Sequence, residues 1–245
     1  MPLTGSLKTL LLRGLLAGLI AGLLAGTVGF VIGEPKVESA IAIEEAGHSD
    51  AGHSHGDAEE PLVSRGGQKF GEFLALGLSG LALGAIFAAV ANAARRHTGL
   101  SGPKLAVALA LCGWLAISAV PFFKYPANPP AVGEPDTIND RTLLWVAAVL
   151  LGLAAVGAAV FAHRLLSNQL STLRVVAAVA AFSVVTAIGY VALPGVNEVK
   201  DDFPATLLWQ FRVSSLAVTA TLWVALGLAF ATLTEFAGRK QPVAA

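Results

Sequence analysis

The chain is poor in charge. Lysine, arginine, aspartate and glutamate make up 13% of its 245 residues, about half the share found in an ordinary soluble domain. It has one cysteine, Cys112, inside an apolar run, so no intramolecular disulfide can form and the redox compartment cannot be read from it. Its one methionine is the first residue, which rules out a cluster of thioether ligands. No G-x-x-x-x-G-K-(S/T) sequence occurs, so ATP hydrolysis on a P-loop is excluded, and Gly102-Pro103-Lys104 is only a helix start. Neither zinc-finger spacing nor the His-Glu-x-x-His pattern of a metalloprotease is present. No nucleophile is paired with a histidine and an acid, so the chain is not expected to be an enzyme or to carry an organic cofactor.

What is abundant is hydrophobicity: 55% of residues are hydrophobic and the mean hydropathy is +0.71. Six apolar runs stand out, at 10–32, 73–93, 105–123, 143–162, 173–193 and 213–233. Each is long enough for a helix rising ~1.5 Å per residue to cross ~30 Å of hydrocarbon. Away from their ends these runs hold no Asp, Glu, Lys, Arg or His. The expected fold is therefore an all-α integral membrane protein, a single membrane domain over 1–245. About six transmembrane helices form a polytopic bundle, with a flexible His/acid-rich extracytoplasmic loop at 34–72. The lipid bilayer is the partner the composition names; no nucleic acid is expected.

Basic residues orient the bundle. Lys8, Arg13, Arg95, Arg96, Lys104, Arg164, Arg174, Arg239 and Lys240 fall at the termini and in two short connections. The positive-inside rule places those segments, and so both termini, in the cytoplasm. Every acidic residue except Glu235 then lies on the other side, where an anionic face raises the local cation concentration. In the first run Gly14, Gly18, Gly22 and Gly26 recur every fourth residue, forming a ridge without side chains that lets another helix come close. The rival reading of this run is a cleaved secretory signal ending near Ala40-Ile41-Ala42, but the run is longer than the ~7–15 residues of a signal core.

The most distinctive polar stretch is residues 47–60, GHSDAGHSHGDAEE. His48, His53 and His55 are interleaved with Asp50 and Asp57. Neutral imidazole suits Zn, Cu, Ni, Co and Fe, and carboxylates add harder oxygen ligands, so these five residues are the candidate metal ligands. The bland alternative is a solvated polar loop. Two further segments lie on the same outer side. Residues 121–141, PFFKYPANPPAVGEPDTINDR, carry five prolines, which excludes a helix interior and predicts a stiff extended segment. It brings Glu134, Asp136 and Asp140 to the entrance. Residues 194–212, PGVNEVKDDFPATLLWQFR, contribute Glu198, Asp201 and Asp202. Both segments run into Thr-Leu-Leu-Trp, at Thr142–Trp145 and Thr206–Trp209, which fits an aromatic belt and suggests an internal repeat. His97 and His163, near Arg95, Arg96 and Arg164 at cytoplasmic helix ends, read as interfacial residues or as acceptors of an ion.

These residues carry a family resemblance. The glycine-rich first span, the HSDAGHSHGD stretch, KYPANPPAVGEPDTINDRT and LPGVNEVKDDFPATLLWQFR together resemble the CbtA-type proteins, over roughly Leu10 to Phe236. The resemblance implies a cobalt transporter subunit of the bacterial inner membrane linked to vitamin B12 biosynthesis. It also implies a small single-span partner of CbtB type with its own histidine motif. Family descriptions count five spans where this chain has six runs.

The mechanism expected is import. Co²⁺ is captured by His48, Asp50, His53, His55 and Asp57, passed along Glu134, Asp136, Asp140, Glu198, Asp201 and Asp202, and drawn inward by the membrane potential. Within the bilayer the ion would pass along Ser, Thr and Cys groups such as Ser79, Cys112, Ser118, Ser183, Thr186, Thr219 and Thr221, or along backbone carbonyls. Cobalt comes from the resemblance alone, since such sites bind nickel or zinc as well. Two other readings stay open: a metal-sensing or accessory subunit that binds without transport, and a scaffold assembled through the glycine ridge. Metal binding by the histidines is expected to fade below about pH 6.5, where imidazole protonates. Calorimetric titration at pH 7.5 and pH 5 checks this, and equal affinity at both would count against histidine capture.

Overall fold

The structure is a computed structural model that describes residues 2–50 and 63–239. In lipid an apolar run can satisfy its N–H and C=O groups only along its own axis, so such runs fold as helices. The described residues contain helices and connections and no strand. Helix α1 (Leu7–Val28) continues through a widened π segment (Gly29–Gly33) into α2 (Glu34–Asp50). After α3 (Arg65–Ala94) comes a second rod of the same build, made of α4 (Gly102–Gly113), a π segment (Trp114–Ala119) and α5 (Val120–Lys124). A 3-10 turn (Pro135–Thr137), α6 (Ile138–Leu165), α7 (Ser171–Ala192) and α8 (Ala205–Arg239) complete the order. Six helical stretches are long and apolar enough to cross a membrane, the architecture that the hydropathy pattern predicts.

Both π segments end two residues before a proline. Glu34 donates its N–H to the Gly29 carbonyl and Val120 to that of Leu115, each five residues back, and Pro35 and Pro121 come next. In a regular α-helix a proline ring collides with the carbonyl four residues earlier. The extra residue in the π turn moves that carbonyl aside and lets the helix continue. This corrects two expectations: Glu34-Pro35-Lys36 does not end the first helix, and Pro121 does not open an extended segment. The chain leaves the second rod only at Tyr125.

The expected loop at 34–72 is likewise shorter as non-helical chain, because residues 34–50 and 65–72 belong to α2 and α3. Cross-helix charges account for the extension. Arg65 pairs with Glu34, and Lys69 Nζ lies 2.5 Å from Glu38 Oε1 and 3.7 Å from Glu34 Oε1. Ser64 caps α3 by accepting from the Gly67 N–H at 3.2 Å.

Packing gathers the chain into two compact units. The first holds residues up to Leu111 and those from Val213 onward. Here α1 and α3 run antiparallel in backbone-to-backbone contact: Gly14 faces the Gly84 carbonyl, Gly18 that of Gly80, Gly22 that of Leu76, and Gly26 the Phe73 ring. Phe87 of α3 meets Phe230 of α8 edge-on at 5.2 Å between ring centroids. Arg95 holds the N-terminal segment by donating to the carbonyls of Leu3 (3.2 Å) and Gly5 (2.9 Å).

The second unit is Cys112–Arg212. Gly152 of α6 seats the Ala116 backbone of the π segment, where a Cβ would collide with it. Helix α7 packs along α6 yet has no buried residue, so much of its apolar surface is left for lipid or for other membrane helices.

In the first unit, Gly18→Ala is expected to force α1 and α3 apart and to cost about 1–3 kcal/mol, the usual penalty of overpacking. Gly66→Ala, where a Cβ meets nothing within 4 Å, should be neutral or mildly stabilising. Thermal unfolding of the detergent-solubilised variants compares the two.

Candidate functional site

The polar architecture of the second unit is built by the two loops between its helices. Prolines at 126, 129, 130 and 135 remove N–H groups from the first loop and leave carbonyls that need donors from elsewhere. Long side chains at the helix ends supply them. Arg212 donates through Nε to the Ala127 carbonyl at 3.3 Å and through Nη2 to Asn128 Oδ1 at 3.0 Å. Lys124 Nζ donates to the Tyr190 carbonyl at 2.8 Å, and the Tyr125 hydroxyl to the Pro194 carbonyl at 2.8 Å. Burial pushes the Tyr125 phenol above its usual range, which keeps it in the donor form. Tyr190 in turn donates its hydroxyl to the Val120 carbonyl at 2.6 Å, beside the π segment.

The centre of this loop pair is Glu198. Its side chain is 8% exposed. Oε2 accepts from Arg141 Nη1 at 2.6 Å, and Oε1 is bonded to the Thr137 hydroxyl. Thr137 Oγ1 also lies 2.9 Å from the Glu134 carbonyl, so its one proton is shared between the two acceptors, and the Thr137 N–H donates to the same carbonyl at 3.2 Å, which shapes the turn into α6. Gly133 makes room for the pair. Its φ of +120° suits glycine, and a Cβ there would run into the Arg141 guanidinium. The other acids expected at the entrance, Glu134, Asp136, Asp140, Asp201 and Asp202, are exposed. Trp145 and Trp209, in the first turns of α6 and α8, are 45% and 68% exposed.

The first unit has its own polar centre at the π segment between α1 and α2. Glu34 is buried and paired with Arg65 and Lys69. Two turns into α3, the Glu72 carboxylate lies against Gly29, where a Cβ would overlap its Oε1, and the negative charge of Glu34 acts on it. Ser214 of α8, 6% exposed, donates its hydroxyl to the Ile32 carbonyl at 3.2 Å.

A family model described as probable cobalt transporter subunit (CbtA) matches residues 7–235, a stretch that takes in both polar centres and all but the edges of the six membrane-length helices. The chain belongs to the CbtA family. Its six membrane-length helices make it a multi-pass membrane protein, and its family is described as a probable cobalt transporter subunit. No curated protein and no solved structure matches it.

For a CbtA protein the question is which groups meet the ion. Of the five candidate ligands at the histidine-rich stretch, His48 and Asp50 fall in the last turn of α2, with His48 about 21 Å along the helix from Glu34. His53, His55 and Asp57 lie outside the described residues. Among the described residues no group of three or more His, Cys, Asp or Glu side chains is placed to hold a metal ion. His163 belongs to a helix end rather than to a ligand set. Arg174 Nη2 lies 3.3 Å from its Nδ1, and because a guanidinium only donates, Nδ1 must accept. Thr186, one of the few polar groups within the spans, has a buried Oγ1 with no hydrogen-bond partner among the described residues.

The residue that pattern reading missed is Glu72. Counting apolar residues starts the second span at 73 and leaves Glu72 in the preceding loop. Helix α3 begins eight residues earlier, and Gly29, the glycine that receives the carboxylate, is forty-three residues away in an unrelated pattern. The sequence signal was present only as Gly71-Glu72-Phe73, an acid directly before an apolar run.

Proposed function

We propose that this CbtA-family chain is the membrane-embedded import permease for Co²⁺. The observation that carries this reading is the family match over residues 7–235, joined to a carboxylate, Glu72, placed against the backbone inside a membrane-length helix pair. Ionisable groups at such positions are costly in lipid and mark ion routes. In this reading the histidine-rich stretch, with His48, Asp50, His53, His55 and Asp57, gathers the ion on the outer side of a bacterial inner membrane, and both termini lie in the cytoplasm. The exposed acids Glu134, Asp136, Asp140, Asp201 and Asp202 concentrate cations at the outer face. Inward movement of a divalent ion gains about 4.6 kcal/mol per 100 mV of membrane potential. The subunit works with a small single-span partner of CbtB type. Nickel and zinc are competing cargoes, since ligand chemistry of this kind does not single out cobalt.

A second reading, an accessory subunit that binds metal without moving it, is favoured by the absence of a three-ligand group among the described residues. It predicts binding without uptake. The experiment is cellular cobalt, nickel and zinc accumulation measured by mass spectrometry in cells expressing the chain with its small partner. Import predicts that cobalt rises above the empty-vector level. The His48/His53/His55→Ala variant should lose that gain at low external cobalt and keep it at high. Glu72→Gln should lower the maximal rate on the order of tenfold, equivalent to about 1.4 kcal/mol of lost interaction. No accumulation of any metal with the partner present sinks the permease reading.

A further inference from the structure

In the second unit, Glu198 is the one carboxylate among the six expected at the entrance whose side chain is enclosed. We infer that it is a positioning residue and not a cation ligand: with Arg141 it fastens the 125–137 and 193–204 connections into one body, and transport depends on that body staying closed. The inference rests on the proposed permease reading for its consequence, and on geometry alone for the fastening.

The geometry is specific. Both carboxylate oxygens are engaged, Oε2 by Arg141 at 2.6 Å and Oε1 by Thr137, so a cation could reach Glu198 only by displacing the guanidinium. A charge-assisted pair enclosed this far is strong where water is excluded, and removing one partner leaves the other buried and unpaired. The surroundings are shaped for it. Gly133 holds φ +120° so that the Arg141 guanidinium can lie over its α-carbon. Ala131, two residues earlier, holds φ 67°, a left-handed conformation that an alanine adopts only when the fold around it compensates. Arg141 sits in the first turn of α6 and Glu198 midway along the connection from α7 to α8, so the pair spans 57 residues of chain. Two further bonds lie nearby, the Tyr125 hydroxyl to the Pro194 carbonyl and the Lys124 ammonium to the Tyr190 carbonyl, but neither engages the acid-bearing stretches 134–140 and 198–202. Among the described residues, only the Arg141–Glu198–Thr137 group links those two stretches. The exposed acids on these stretches are therefore held in a fixed mutual arrangement by a pair that itself takes no part in attracting cations.

The test uses the full chain in membranes together with its small partner, with Arg141→Glu, Glu198→Arg and the double exchange Arg141→Glu/Glu198→Arg, plus Glu198→Gln and Arg141→Gln. Two readouts are taken on samples matched for membrane-inserted protein. The first is the rate of tryptic cleavage after Lys200, an exposed residue two positions from Glu198. The second is cobalt uptake resolved into half-saturating concentration and maximal rate. Fastening predicts faster cleavage in every single variant and a return towards the wild-type rate in the double exchange. It also predicts that uptake falls in Arg141→Gln and Glu198→Gln alike, on the order of tenfold, and recovers in the double exchange. Loss of uptake in Glu198→Gln with uptake kept or raised in Arg141→Gln would make Glu198 a cation ligand and overturn the inference. Unchanged cleavage in the single variants would overturn the fastening itself. If cleavage responds as described while the wild type accumulates no cobalt, the permease reading has failed, and with it the part of the inference that concerns transport.

Discussion

A carbonyl that has lost its helical N–H must find another donor, and in an apolar environment water is not there to provide one. Twelve prolines in a chain of 245 residues make this constraint acute. The structure meets it in two ways. Within the rods, a π turn is inserted before Pro35 and before Pro121, so the backbone continues with i→i−5 bonds. Outside them, long donors reach across: Arg212 to Ala127, Tyr125 to Pro194, Lys124 to Tyr190, Tyr190 to Val120, Ser214 to Ile32 and Arg95 to Leu3 and Gly5. Several polar side chains that read in the sequence as scattered basic or aromatic residues share this role.

The same constraint places charge. Because α1 continues past Pro35 as α2, Glu34 and Glu38 are carried on a helix face opposite Arg65 and Lys69, and α3 is extended to meet them. That extension draws Glu72 onto Gly29. In the second unit, the proline-bearing connection turns back through Gly133 and presents Arg141 to Glu198. The polar centre of each unit is thus a consequence of how a proline was accommodated nearby, and each centre has a carboxylate at its heart with a different fate. Glu198 has both oxygens occupied, whereas Glu72 lies against a bare stretch of backbone.

Much of the fold was legible. Six long apolar runs, a glycine every fourth residue from Gly14 to Gly26, and proline clusters between runs specify helices, one closely packed helix pair and non-helical connections. The positions that resisted were those where a local rule was overridden. Proline normally ends a helix, and the π turns that cancel the rule have no composition of their own: Gly-Phe-Val-Ile-Gly and Trp-Leu-Ala-Ile-Ser-Ala read as ordinary membrane sequence. Acids at the edges of apolar runs normally belong to loops, so the pattern places Glu34 and Glu72 in water. Among the entrance acids, Glu198 looks no different from Asp201 or Asp202 until its partner is known.

The sequence by itself determined the apolar solvent this protein lives in, the number of membrane-length helices and, through its motifs, the family to which the chain belongs. Each of these depends on composition, on run length or on motifs contiguous in the chain, and such quantities survive any rearrangement in space. Tertiary structure decided which carboxylates are free and which are spent. That outcome depends on partners 31 to 61 residues distant, Arg65 for Glu34 and Arg141 and Thr137 for Glu198, and on a glycine in one helix lying beside an acid in another. Burial and pairing are properties of a place in the fold, and residues far apart in the chain acquire them only when the helices pack.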